Sequence, residues 1–391
     1  MCGIVGYIGR EQAAPILLEG LSRLEYRGYD SAGVAVFDSQ TEALAVHKAK
    51  GRLQVLSERL HGGADLDSTV GVGHTRWATH GAPSDANSHP QVSHSGKIAV
   101  VHNGIIENYA ELKAFLMEQG VPFTSETDTE VVAQLIEYFY QGDLLQAVGR
   151  VLRRIQGAYA LGILCADCPD QLVAVRKDSP LILGLGEDCT FIASDVTAIL
   201  RHTRRVYYME DGELAVLTRE GIQCFNHLMQ PIEKEVAAVD WEIDAAEKGG
   251  YEHFMFKEIM EQPEALRRCL FPRIREGEIV FEDFSLSDGY IKSMNRIYIV
   301  ACGSSYHVGM VGKYHLERLT RIPVEVALGS EFRYMDPIVD EHTLVIVISQ
   351  SGETLDTMAA LREARRLGGH VLSIVNVVGS SIARESDQVL Y

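Results

Sequence analysis

Cys2 stands directly after the initiator Met and opens the apolar stretch CGIVGYIG. Removal of Met1 makes it the N-terminal residue, with a nucleophile and a base on one amino acid. An unperturbed thiol has a pKa of about 8.5 and an α-amine one of about 7.7 to 8.0, so the free amine can take the thiol proton near neutral pH. Cys2 is therefore a candidate covalent catalyst; a small buried Cys opening a strand is the alternative. Three further motifs share the same region: RGYDSAG at 27–33, HTRWATHG at 74–81, and HNG at 102–104 with TDTE at 127–130. Taken singly they have bland accounts, because Asn-Gly marks a turn, Thr-Asp an N-cap and Arg-Trp a stacked pair. Taken together they are rich in groups that recognise polar ligands.

Two more loops carry hydroxyls. CGSS at 302–305 and SQSGET at 349–354 each lie between an apolar strand and a helix. Ligands bind there in α/β sheets, and N–H groups at a helix start favour phosphate. N-capping explains one such loop, but two in successive strand-helix units point to a ligand. Neither loop is GxGxxG, and GxxxxGK[ST] is absent, so a dinucleotide site and a P-loop are set aside.

The elements that must position these residues fall into two patterns. Residues 2 to about 225 read as α+β, with short strands such as 98–101, 158–164 and 171–175, a helix from Glu11 to Leu24 and another from Asp128 to Tyr140. Asp128 or Thr129 can cap that second helix, and Glu130 adds first-turn negative charge. Residues 228–255 are charged, lack a clear strand pattern and end in the Gly249-Gly250 breaker, which marks a linker; a helical segment over about 253–270 follows. From Arg296 the chain repeats strand, loop and helix, the pattern of a parallel sheet covered on both faces. It stops at Tyr391 just after a short strand, DQVLY, and so reads as an incomplete domain. The expected division is 2–225, a connecting stretch 226–284, and 285–391.

Composition excludes several functions. The 391 residues hold 36 basic and 54 acidic side chains, a formal charge of -18 that repels nucleic acid and anionic membranes. No apolar run reaches a membrane span, and Arg10 and Glu11 come too early for a signal-peptide core. Seven scattered Cys suggest a reducing, cytoplasmic setting rather than a disulfide framework. The lone CxxC of Cys165 and Cys168 reads as a turn between strands, not a metal site.

CGIVG at the mature terminus, with the other motifs in this order, resembles the class II, N-terminal-nucleophile glutamine amidotransferases. The resemblance implies a four-layer αββα fold in which Cys2 attacks the glutamine side-chain amide, releases ammonia and leaves a glutamyl thioester for water to hydrolyse. It places the Asn103 amide and the Gly104 N–H at the oxyanion, Arg76 at the substrate α-carboxylate and Asp128 at its α-ammonium. Trp77, Thr79, His80 and Arg27 fall on positions that line or close the pocket.

The two Ser/Thr loops resemble the sugar isomerase (SIS) domain, a Rossmann-like α/β fold. Carried across, Ser305, Ser349, Gln350, Ser351 and Thr354 hold a sugar phosphate. The two resemblances together imply ammonia passed internally from glutamine to fructose 6-phosphate, giving glucosamine 6-phosphate and glutamate, the first step of amino-sugar synthesis. That reaction asks for no metal or redox cofactor. In the full-length pattern two SIS domains are present and form a homodimer; here the first is incomplete. A glutaminase alone, an amidotransferase with another phosphosugar acceptor, and a non-catalytic sugar-phosphate sensor are the alternatives.

Overall fold

The computed structural model describes residues 2–25, 28–239, 250–281 and 286–391. They form two compact units, residues 1–250 and 251–391. In the first, the opening apolar run is strand β1 (Gly3–Ile8), followed by helix α1 (Ala13–Leu24). Pro15 sits in the first helical turn, where its missing N–H breaks no helical bond. Ala13, Leu17, Leu21 and Leu24 recur on one face and are fully buried. Hairpin strands β2 (Ser31–Asp38) and β3 (Ala43–Lys50), helix α2 (Leu53–Arg59) and strand β4 (Val70–Arg76) come next. Strands β5 (Gln91–Val92) and β6 (Ile98–Ile106) precede helices α3 (Tyr109–Glu118), α4 (Thr129–Phe139) and α5 (Leu144–Leu152). Strand then dominates: β7 (Gly157–Cys165), β8 (Leu172–Lys177), β9 (Ile182–Leu185), β10 (Thr190–Ala193), β11 (Arg205–Tyr208), β12 (Leu214–Leu217), β13 (Ile222–Phe225), β14 (Pro231–Ile232) and β15 (Ala237–Ala238).

These strands make two sheets, in the orders β15-β11-β9-β10-β1-β4-β2-β3 and β14-β13-β12-β8-β7-β6-β5. Alternation along each strand decides the layers. Ile4 and Ile8 of β1 with Val70 and Val72 of β4 meet Ala99 and Val101 of β6 in one buried cluster between the sheets. Val5, Tyr7, Val34 and Val36 turn the other way, onto α1. Ile98 and Val100 turn away from the sheet interface onto the layer of α3, α4 and α5. The result is the αββα stack. The charged stretch after 228 supplies β14 and β15, edge strands of two residues each, too short to show a period-2 pattern in sequence. Cys165 closes β7 and Cys168 lies in the turn before β8, both as free thiols.

The second unit starts with helix α6 (Phe254–Leu270) and a small hairpin of β16 (Ile274–Arg275) and β17 (Glu278–Ile279). Then come α7 (Asp288–Ser293), β18 (Arg296–Ala301), α8 (Gly303–Thr320), β19 (Val324–Leu328), α9 (Gly329–Phe332), β20 (Thr343–Ser349), α10 (Leu355–Arg366), β21 (His370–Val375), α11 (Ser381–Glu385) and β22 (Gln388–Leu390). The last five of these strands form one parallel sheet, β19-β18-β20-β21-β22. Val300, Val345 and Val347 pack under α10 and α11, while Ile297, Ile299 and Ile346 pack on the opposite face with Tyr290 of α7 and Leu316 of α8. Burial on both faces explains why these strands read as unbroken apolar runs. Among the described residues, no helix is long and apolar enough to cross a membrane.

Leu17, fully buried on α1, measures the outer layer of the first unit. Leu17→Ala is expected to cost about 2–5 kcal/mol, read as a lowered urea midpoint; an unchanged midpoint would mean that α1 contributes little to the fold.

Candidate functional site

The site of the first unit lies where β1, β4 and β6 end together. The register pairs Gly3 with Thr75 and Ile4 with His74, so Cys2 comes opposite Arg76 at the end of the first sheet. Cys2, His74 and Arg76 share the strand face that carries Ile4, Val70 and Val72, and so look toward the second sheet; Asn103 shares the face of Ala99 and Val101 and looks back. Cys2 Sγ accepts a hydrogen bond from the Trp77 N–H at 3.2 Å. Burial pushes the thiol pKa up, while the Trp77 N–H and the Arg76 charge act against that rise. The Asn103 Nδ2 group donates to the Cys2 carbonyl at 3.1 Å.

Arg76 is 4% exposed. Its Nη2 group donates to the carbonyls of His80 and Gly81, but its buried Nη1 has no hydrogen-bond partner among the described residues. A buried cationic donor left open costs on the order of 1–3 kcal/mol or more, so this nitrogen is a ready partner for a carboxylate. Burial lowers the Arg76 pKa, and Asp30, Cys2 and Asp128 oppose the effect. Asp30, which the sequence reading did not single out, accepts from the Ala78 N–H and from Ser31 Oγ, while its own N–H donates to the Arg76 carbonyl. It ties RGYDSAG to HTRWATHG.

Asp128 occupies the N-cap position of α4, but its side chain does not cap the helix. Its Oδ2 instead accepts from the Ile106 N–H at 2.8 Å, because the turn before α4 is held by a different carboxylate. Glu130, fully buried, accepts from the backbone N–H groups of Thr124 at 2.8 Å and Ser125 at 2.6 Å. Gly104 has φ +123, and a Cβ there would stand 2.0 Å from the Ala158 carbonyl oxygen, so only Gly fits. His80 is half-buried and meets Tyr109 edge-on at 5.1 Å. Trp77 is 51% exposed and leans on Tyr29 at 5.4 Å, and Thr79 is exposed. Arg27 lies outside the described residues.

Three buried His stand behind the site. The rings of His74 and His89 lie 4.4 Å apart, and those of His89 and His102 lie 6.4 Å apart. His102 Nδ1 pairs with Thr129 Oγ1 at 2.8 Å, joining β6 to the start of α4. Sequence gave no sign of this cluster beyond the first letters of HTRWATHG and HNG.

In the second unit, CGSS and SQSGET follow neighbouring parallel strands, β18 and β20, from which the chain crosses to opposite sides of the sheet. That switch point is where such sheets open a crevice. Neither loop caps its helix through a side chain at Cys302 or Thr354. Ser349 Oγ accepts from the Gly352 N–H at 3.0 Å and lies 3.3 Å from Thr354 Oγ1; Ser351 Oγ accepts from the Glu353 N–H at 3.2 Å. Thr357 Oγ1 of α10 donates to Cys302 Sγ at 3.5 Å, tying the end of β18 to the helix that follows SQSGET. Ser305 is half-buried and Gln350 exposed. Ser380, which the sequence reading passed over, brings a buried hydroxyl without a hydrogen-bond partner among the described residues against Gly352.

Comparison with known proteins finds a family match in each unit. Residues 74–201 match the model of a glutamine amidotransferase domain, and residues 290–391 match that of a SIS domain. Across its whole length the chain is 55% identical to a Clostridium tetani protein named glutamine--fructose-6-phosphate aminotransferase [isomerizing], and 56% identical to a protein of the same name from Caldanaerobacter subterraneus. It spans 64% of the length of each. Among solved structures it is similar to a glutamine phosphoribosylpyrophosphate amidotransferase from B. subtilis, with a TM-score of 0.52 at 20% identity over 99% of this chain and 90% of that one; that likeness concerns the fold alone.

The His cluster of the first unit sets a pH limit. Burial lowers the pKa of His74 from 6.5 to about 3, that of His89 well below its ordinary value, and that of His102 too. Above pH 6.5 both folded and unfolded forms are neutral and the full stability is present. As pH falls below 6.5 the unfolded chain takes up protons that the folded one refuses, and stability is lost progressively toward the His74 value. Urea denaturation at pH 7.5 and 5.5 is expected to show a lower midpoint at 5.5; equal midpoints would contradict neutral buried rings.

Proposed function

We propose that this chain hydrolyses glutamine at Cys2 and that the ammonia is transferred to fructose 6-phosphate on the SIS side, forming glucosamine 6-phosphate and glutamate. The observation that carries the reading is the meeting of a thiol, an aimed amide donor and an open buried guanidinium at one end of the sheet interface. With Met1 removed, the Cys2 amine takes the thiol proton and the thiolate attacks the glutamine side-chain carbon. Asn103 Nδ2 and the Gly104 N–H receive the developing oxyanion. Ammonia leaves with the shuttled proton, a γ-glutamyl thioester remains, and water releases glutamate. Arg76 Nη1 clamps the α-carboxylate and Asp128 takes the α-ammonium; Trp77, Thr79 and His80 border the pocket.

Ser305, Ser349, Gln350, Ser351 and Thr354 hold the sugar phosphate. Ammonia condenses with the ketone carbon, water leaves, and the imine isomerises. Relatives that bear the aminotransferase name support this acceptor. Seven free thiols support a reducing, cytoplasmic setting. The exposed Val308, Val311 and Tyr314 of α8 support a homodimer built through SIS domains.

Cys2→Ala is expected to abolish glutamate release from glutamine, as is retention of Met1, which acylates the base. Asn103→Ala should lower the rate on the order of a hundredfold. Full activity in the first two proteins would sink the mechanism. For the SIS site, Ser349→Ala or Thr354→Val should weaken fructose 6-phosphate binding about tenfold each in calorimetry, the loss of one hydrogen bond to a charged group; unchanged affinity would move the phosphate elsewhere.

A further inference from the structure

His74 takes no part in the reaction as described, yet it is fully buried beside Asn103. We infer that His74 is the positioning residue that aims the Asn103 amide at the reacting centre. The inference rests on the reading that Cys2 hydrolyses glutamine.

His74 Nε2 lies 3.0 Å from the His102 carbonyl oxygen and 3.1 Å from Asn103 Oδ1. A carbonyl only accepts, so Nε2 carries the hydrogen. The Asn103 atom facing the same nitrogen must then be its oxygen, which turns Nδ2 toward the Cys2 carbonyl, another obligate acceptor, at 3.1 Å. Flipping the amide would set donor against donor at His74 and acceptor against acceptor at Cys2. Two backbone carbonyls thus fix both the His tautomer and the amide orientation.

Position strengthens the case. His74 belongs to the first sheet and Asn103 to the second, so the bond crosses the sheet interface. The ring is pinned by its contact with His89. Burial keeps it neutral near physiological pH, so Nε2–H stays a single donor. Without it, the amide could turn its oxygen toward a developing negative charge, where it repels instead of stabilising.

Gln and Asn in place of His74 separate the roles, since a Gln amide reaches the place of Nε2 and an Asn amide only that of Nδ1. His74→Asn is expected to lower kcat for glutamine hydrolysis about tenfold to a hundredfold with KM changed less than about twofold, and His74→Gln to recover most of the rate. In an Asn103→Ala background His74→Asn should cause no further loss. Wild-type kcat in His74→Asn, equal losses in both variants, or the same fold-loss without Asn103 would overturn the inference. A wild-type protein that releases no glutamate would instead overturn the reading of Cys2. Nitrogen-15 spectra of the His-labelled wild type test the geometry without any variant: an Nε2–H ring at His74 that does not titrate between pH 8 and 5 is expected, and an Nδ1–H ring refutes the assignment.

Discussion

The face-to-face packing of two antiparallel sheets is the constraint on which the first unit depends. Side chains alternate along a strand, so each sheet sends every second residue into the shared layer. Through most of that layer these are apolar, as with Ile4, Val72, Ala99 and Val101. At one end they are Cys2, His74, Arg76 and Asn103. The same periodicity that builds the core therefore delivers the polar groups, and no loop has to carry the nucleophile. Strand ends set in a packed layer hold such groups more firmly than loops do.

Polar groups in that place must satisfy one another. Asn103 answers to His74 and to the Cys2 carbonyl, Arg76 to the His80 and Gly81 carbonyls, and Asp128 to the Ile106 N–H. What the network leaves open, Nη1 of Arg76, has the chemistry of a carboxylate site. Glu130 and Asp30 work one step further out: they fold the segments that carry Asp128 and Trp77. The second unit uses another device, a parallel sheet whose winding switches sides between β18 and β20, so that the two hydroxyl-bearing segments come side by side, joined by the Thr357–Cys302 contact.

Much of this was legible in the chain. The apolar runs at 296–301 and 343–349 announced a parallel sheet because strands buried on both faces have no polar alternation to disguise them. Cys2, Arg76, Asn103 and Asp128 stood out by residue type within short motifs. The capping role read for Asp128 is not what the fold uses: an N-cap position permits a cap, but the Ile106 N–H across the chain competes for the same oxygen. Residues 228–239 read as linker because two-residue edge strands leave no periodic signal. His74, His102 and Asp30 went unread because their work is to pair with residues far away in sequence.

By itself, the sequence determined the local chemistry: a nucleophile that can sit at the mature terminus, glycines where no side chain fits, apolar periods that choose strand or helix, and hydroxyl loops at strand ends. Those properties belong to a residue and its near neighbours. Only the tertiary structure decided which nitrogen of His74 holds a hydrogen, which way the Asn103 amide points and which guanidinium nitrogen stays open. Each of these is settled by a carbonyl or side chain brought from another strand, and a hydrogen bond has a direction only once both partners are in place.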